Sequence, residues 1–148
     1  MKARGIAVAP KTLVRNLQRR IKIDTLALKK FANKACVRVL EIPKSVPTEL
    51  TRLREVLILL VSDDRMRALH RGFLGKNEPT DVLTFQHGEI VISVDTARDN
   101  ARRFESSLDE ELRLYLVHGL LHLHGFDDRR KADAKQMERA QQQILRLV

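Results

Sequence analysis

The apolar positions of the chain fall into two kinds of segment. In "DTLALKKFANKACVRVLEI", residues 24–42, Leu28, Phe31, Ala32, Ala35 and Val39 recur at helical spacing, and Asp24 stands where an N-cap belongs. In "EVLILLVSDD", residues 55–64, the apolar run is continuous and of strand length, the signature of a strand covered on both faces. "TLVRNLQRRI" (12–21) alternates loosely and predicts a first strand, while Pro43 and Pro47 mark a loop after the first helix. Ser62 or Asp63 can cap a helix through "RMRALHRGF". "GKNEPTDVLTF" turns from a Gly and Pro loop into a β-rich segment, and "EIVISVDTA" predicts a strand running into a helix, "TARDNARRFES". "LDEELRLYLVHGLLHLHG" (108–125) reads as a helix with acids in its first turn and Gly125 as its stop. A last amphipathic helix follows in "RRKADAKQMERAQQQILRLV". Four strands among helices, with no repeat or low-complexity linker, predict a single α+β domain.

Composition agrees. With 148 residues, 43% hydrophobic and 32% charged, the chain suits one globular domain with a real core and is not disordered. One cysteine, Cys36, excludes an internal disulfide framework and fits a reducing, cytoplasmic setting. No run approaches the roughly 18 apolar residues of a membrane span, and the start is too short in apolar residues for a secretory signal. That start is basic and acid-poor, as transit peptides are, so organellar import stays open.

Charge is segregated. Residues 1–40 hold eleven Lys or Arg against the single acid Asp24, whereas residues 41–148 hold seventeen against eighteen acids, so the net +9 belongs to the first quarter. A basic surface including Arg15, Arg19, Arg20, Lys22, Lys29, Lys30 and Lys34 attracts a polyanion such as RNA by counterion release; the plainer alternative is a solvated helix face. With one Tyr, five Phe and no Trp, phosphate contacts rather than stacking would dominate.

The candidate chemistry sits in "HGLLHLHGFDD", residues 118–128. His118 and His122, four apart on a helix, lie on one face a turn apart, the geometry of two ligands on one metal. Gly125 allows a sharp turn, and Asp128 can then fold back as a third ligand, with Asp127 as its competitor. A lone histidine among leucines is usually a hydrogen-bonded core residue. Two at this spacing, followed by a Gly turn and an acid, favour a metal instead, because unpaired buried imidazole nitrogens cost roughly 1–3 kcal/mol each. His124 points off that face and reads as a bystander, either behind the ligands or on the surface; His70 and His87 read as surface or cleft-edge residues. The spacing is that of the metzincin zinc signature, but Gly119 stands where zinc peptidases carry their general base, which disfavours peptide hydrolysis.

"HGLLHLHGFDD" resembles the H-G-x-L-H-L-x-G-[YF]-D-H signature of the YbeY family of metal-dependent endoribonucleases, the bacterial and organellar rRNA maturation factors. "PTDVLTF" (79–85) is similar to that family's P-T-D-V-L-S-F, "GEIVIS" (88–93) to its G-D-I-x-I-S, and Met137 stands where its terminal helix carries Met. The resemblance implies an α+β fold with a small mixed sheet of about four strands and a central metal-binding helix. It implies one bound zinc or similar ion and cleavage of single-stranded RNA in rRNA maturation and quality control, especially at the 3′ end of the small-subunit rRNA. Ligands and catalytic residues carry over to His118, His122 and Asp128. Asp128 replaces the usual His, a harder donor that shifts preference toward Mn, Fe or Mg. Phe73 and Leu74 replace a Tyr-Arg pair implicated in RNA handling, leaving Arg71 or Lys76 to supply the charge. Glu89 replaces Asp, and Thr80 and Asp81 are expected either to line the cleft or, for Asp81, to serve as a turn residue.

Three readings follow: a metal-dependent endoribonuclease with RNA and the ribosomal small subunit or its assembly factors as partners; an RNA-binding assembly factor with a structural metal; and, least favoured by Gly119, a metal-dependent protease.

Overall fold

Asp24 caps the first helix as its sequence position predicts: its Oδ1 accepts a hydrogen bond from the Ala27 N–H at 3.0 Å, and helix α1 (Thr25–Leu40) buries Leu28, Phe31, Ala32, Ala35, Cys36 and Val39. This is seen in a computed structural model, which describes residues 8–74 and 80–148 apart from the side chains of Phe73 and Leu74. The other elements in chain order are β1 (Lys11–Asn16) ahead of α1, then α2 (Glu49–Arg52), β2 (Glu55–Val61), α3 (Asp63–Leu74), β3 (Val82–Phe85), β4 (Glu89–Ser93), α4 (Val94–Arg103), α5 (Leu108–Leu123) and α6 (Lys131–Leu147). Lys76 lies outside the described residues.

The strands form one sheet in the order β1-β2-β4-β3, with β1, β2 and β4 parallel and β3 antiparallel on the edge. The domain is α+β with a mixed four-stranded sheet. β2 is uninterruptedly apolar because both its faces are used. Val56, Ile58 and Leu60 join Ile90 and Ile92 of β4 in the main core, under α1, α4, α5 and α6. Val61 and Val91 face the other way and pack with Met66 of α3, flanked by Leu59, Leu69, Leu83 and Phe85.

Two local readings need correction. The first strand is shorter than "TLVRNLQRRI": it stops at Asn16, because the Gln18 side chain turns inward, donating to Asn16 Oδ1 at 2.9 Å and to Ile21 O at 2.6 Å and accepting from Ile21 N at 2.9 Å. The proline loop holds the short helix α2, closed by a capping box in which Thr48 and Thr51 exchange backbone and side-chain hydrogen bonds. At α3 it is Ser62 Oγ that accepts from Arg65 N, at 3.3 Å. Asp63 instead accepts from the hydroxyls of Ser93 and Thr96, joining the end of β2 to the start of α4.

α5 is the central helix, touching α1, α4, α6, β3 and β4. Ser107 caps it by accepting from Glu110 N at 3.0 Å, and Asp109, Glu110 and Glu111 occupy its first turn. It ends in a Schellman motif: Gly125 (φ +87°) donates to His122 O and Phe126 to Leu121 O, both at 3.0 Å. The chain therefore reverses just where the third candidate ligand has to return.

Candidate metal centre

On α5, His118 and His122 present their rings in a T-shaped pair, 84° apart with centroids at 4.6 Å, and their Nε2 atoms lie 3.1 Å from each other. The turn at Gly125 brings Asp128 Oδ2 to 3.6 Å from His118 Nε2 and 3.8 Å from His122 Nε2. Among the described residues these three form the one cluster of at least three His, Cys, Asp or Glu able to share an ion, with donor atoms within 4.8 Å of one another.

The other ring nitrogens set the tautomers. His118 Nδ1 lies 3.1 Å from Gln141 Oε1, and His122 Nδ1 lies 3.1 Å from the Phe126 carbonyl oxygen. A carbonyl oxygen only accepts, so each Nδ1 carries the proton and each Nε2 is left with a lone pair. Two lone pairs facing each other at 3.1 Å repel unless a cation or a proton stands between them. Tetrahedral zinc, with bonds of about 2.0–2.2 Å to nitrogen and oxygen, holds its donors roughly 3.3 Å apart, so the three atoms fit such an ion with modest closure. Burial, and then the neighbouring His122, hold the His118 pKa below the ordinary value, against the opposing pull of Gln141, Asp128 and Asp81. The neutral imidazole favoured in this way is the form that binds metal.

Asp127 lies outside this cluster and is engaged elsewhere. Arg129 takes its carboxylate, with Nε at 2.8 Å, Nη2 at 2.7 Å and the backbone N–H at 3.1 Å, which holds the Asp127 pKa down to about 2. His124 stands outside the cluster and off the surface: it is buried, its Nε2 donating to Ile42 O at 2.8 Å and its Nδ1 accepting from Thr48 Oγ1 at 2.9 Å. It pins the loop before α2 to the end of α5. His70 is likewise buried, a correction to its reading as a surface or cleft-edge residue, whereas His87 is exposed beside Glu89. Asp81 acts as the turn residue its sequence position suggested: its Oδ1 accepts from Val82 N at 2.9 Å, and its charge bears weakly on His118 and Tyr115. The Thr80 hydroxyl lies beside it at 3.5 Å.

Gly119 has a packing role. A Cβ there would lie 2.7, 2.9 and 3.0 Å from the Cγ2, Cδ1 and Cγ1 atoms of Ile90, so α5 rests directly on β4 at this point. A carboxylate at this position would be driven into the sheet.

The cleft beside His122 is bounded by Thr48, Glu49, Gln86, Phe126, Asp127 and Arg129. Its basic residue is Arg129. Arg15 lies on β1, Arg19, Arg20 and Lys22 in the segment between β1 and α1, and Arg71 on α3; all five are exposed and none bounds this cleft. Sequence reasoning missed Arg129 and Gln141. The signal for Gln141 was its place four residues beyond the buried Met137, on the same face of α6.

A family model described as Endoribonuclease YbeY matches residues 13–148. Endoribonuclease YbeY of Anaeromyxobacter sp. (strain Fw109-5) is 45% identical over 102 residues, 62% of this chain and 53% of that protein. The Phocaeicola vulgatus and Thermus thermophilus proteins of the same name are 35% and 40% identical over 104 residues, which cover 66% and 62% of this chain and 75% of each of theirs. The chain thus spans about half the length of the first relative and three quarters of the other two. The solution structure of TM1509 from Thermotoga maritima superposes with a TM-score of 0.62 at 29% identity, over 89% of this chain and 86% of that one. On these matches the chain belongs to the endoribonuclease YbeY family of RNA-cleaving hydrolases.

Proposed function

We propose that this chain is a metal-dependent endoribonuclease specific for single-stranded RNA. It acts in the cytoplasm in rRNA processing, including 16S rRNA 3′-end maturation, and in ribosome quality control, as one catalytic domain over residues 1–148. His118, His122 and Asp128 hold one divalent ion, zinc or, given the carboxylate, Mn, Fe or Mg. The observation that carries this reading is the pair of Nε2 atoms 3.1 Å apart, both left as acceptors by Gln141 and Phe126, with Asp128 closing the third side. Three protein donors leave a coordination position open, the arrangement of catalytic rather than structural sites.

When bound, the ion supplies Lewis-acid polarisation of a phosphate oxygen and a lowered pKa for water. The chain's own groups do the rest. Gln141 and the Phe126 carbonyl hold the two imidazoles in the donor tautomer. Arg129 at the rim, held in place and largely neutralised by Asp127, can offer a phosphate its remaining N–H donors. Gly119 provides no base, so proton transfer falls to a substrate phosphate oxygen or to another carboxylate, with Asp81, whose charge bears on His118, as the candidate. Arg15, Arg19, Arg20, Lys22, Arg71 and Lys76 attract and hold the RNA, and Thr80 and Asp81 line the cleft.

The test is cleavage of single-stranded RNA by His118→Ala and His122→Ala proteins with unchanged circular dichroism. Cleavage should fall to background, and activity equal to the parent protein would overturn the proposal. Tight RNA binding by the parent protein without metal-dependent cleavage would point instead to an assembly factor with a structural metal.

A further inference from the structure

The sheet face opposite α5 carries a second concavity. Leu59, Val61 and Val91 of β2 and β4, with Leu69 of α3 and Leu17, form an apolar floor, and Phe85, His87, Glu89 and Arg65 stand around it. Its volume is about 180 Å³. That is well below the roughly 300–1,000 Å³ of sites for drug-sized ligands, and suits a fragment the size of one heterocyclic base.

One wall is flat and aromatic: the Phe85 and His87 rings stack at 5.7 Å with their planes 23° apart. The surroundings are charged in a particular order. Arg65 is on the rim, and Arg15, the register partner of Leu59, projects from the same sheet face and is exposed. Glu89 lies at the edge of the floor with its Oε1 3.2 Å from His87 Nε2. An apolar floor beside a carboxylate repels phosphate, while the arginines outside attract it. A nucleotide therefore fits with its base inside and its backbone outside.

The β3–β4 turn stands between this concavity and the cleft beside His122: Phe85 and His87 bound the first, and Gln86 between them bounds the second. A strand crossing this turn passes from one to the other.

We propose that this groove is a base-binding subsite: it takes one unpaired base of the RNA strand, stacked on Phe85 and His87, with the adjoining phosphates on Arg15 and Arg65. The inference rests on the nuclease reading for its substrate but not for its readout. It gives the basic first quarter a specific target, and it accounts for a preference for single strands, since a paired base cannot enter.

The experiment is a titration of methyl-labelled protein with a short single-stranded RNA, followed by NMR, alongside cleavage assays. The methyl signals of Leu59, Val61, Leu69 and Val91 should shift. Phe85→Leu and the exposed-site variant Arg65→Glu should each weaken RNA binding, by roughly fivefold to a hundredfold for loss of one stacking or phosphate contact. Cleavage at saturating RNA should change little, because neither residue touches the metal donors. RNA that binds or is cleaved without moving these methyls overturns the subsite and leaves the nuclease standing. Shifts at these methyls in a protein that never cleaves RNA support the subsite and sink the nuclease. A response to apolar peptide but not to RNA also overturns the subsite, and Arg65→Glu keeps the test valid should Phe85→Leu unfold.

Discussion

Gly119→Ala tests whether Gly119 is the product of close packing. On helix propensity alone the change stabilises by about 1 kcal/mol, as expected in the interior of a helix. The added Cβ, however, would meet three Ile90 carbons at 2.7–3.0 Å, where ordinary contacts lie near 3.5–4.0 Å. Ile90 cannot retreat: it is fully buried, β-branched, and on a strand paired on both sides. Overpacking of this kind costs about 1–3 kcal/mol, and relief by lifting α5 would loosen Leu116 and Leu120 from the core. With Ile90 unable to yield, the overpacking outweighs the propensity gain, and we expect net destabilisation of up to about 2 kcal/mol, read as a urea midpoint lowered by up to roughly 1 M. Ile90→Ala removes all three clashing atoms; alone it should cost about 2–5 kcal/mol, but less by about 1–3 kcal/mol in the Gly119→Ala background. Circular dichroism unfolding of the four proteins gives the coupling. A more stable Gly119→Ala protein, additive with Ile90→Ala to within about 0.5 kcal/mol, refutes the packing account.

Two further outcomes follow from the side chains around the metal helix. His124→Leu should lower stability by about 2–4 kcal/mol, since it strands the Thr48 hydroxyl and the Ile42 carbonyl, yet leave zinc affinity by calorimetry near that of the parent; a loss like that of His118→Ala would make His124 a ligand. Burial holds the His124 pKa below the ordinary value, so the unfolded chain takes up the proton first: its contribution is complete above about pH 6.5 and declines as pH falls toward the depressed folded value. Melting temperature against pH should lose that part of its acid slope in His124→Leu, and an unchanged slope contradicts it. Gln141→Leu should weaken metal binding about 10- to 100-fold with an unaltered melting curve before metal is added; full affinity would show that the Nδ1 partner is dispensable.

What was legible in the sequence is what depends on near neighbours. The Asp24 cap, the continuous run of β2, the acids opening α5 and the histidines one turn apart are each settled within four residues or so, where helical and strand periods act. The turn that returns Asp128 could be read too, because a Schellman motif needs only its own six residues and a glycine able to hold φ +87°. The partners of those histidines could not. Gln141 lies 23 residues from His118, and Thr48 lies 76 from His124; no period links them, and only the docking of α6 and of the α2 loop on α5 makes them neighbours. Lacking that information, sequence reasoning left His124 open between a place behind the ligands and the surface, and read the buried His70 as a surface or cleft-edge residue.

Gly119 shows how such a gap alters chemistry as well as packing. Beside His118 and with the metzincin spacing in view, Gly119 tells against a peptidase, but the sequence gives no reason for a glycine there. The residue that explains it is Ile90, on a strand that the local pattern around Gly119 cannot indicate. With the strand in place, the position has no room for a carboxylate. Gly119→Glu should therefore disrupt the seating of α5 on β4 rather than create a peptidase, as an unfolding midpoint lowered without any gain of peptide hydrolysis would show.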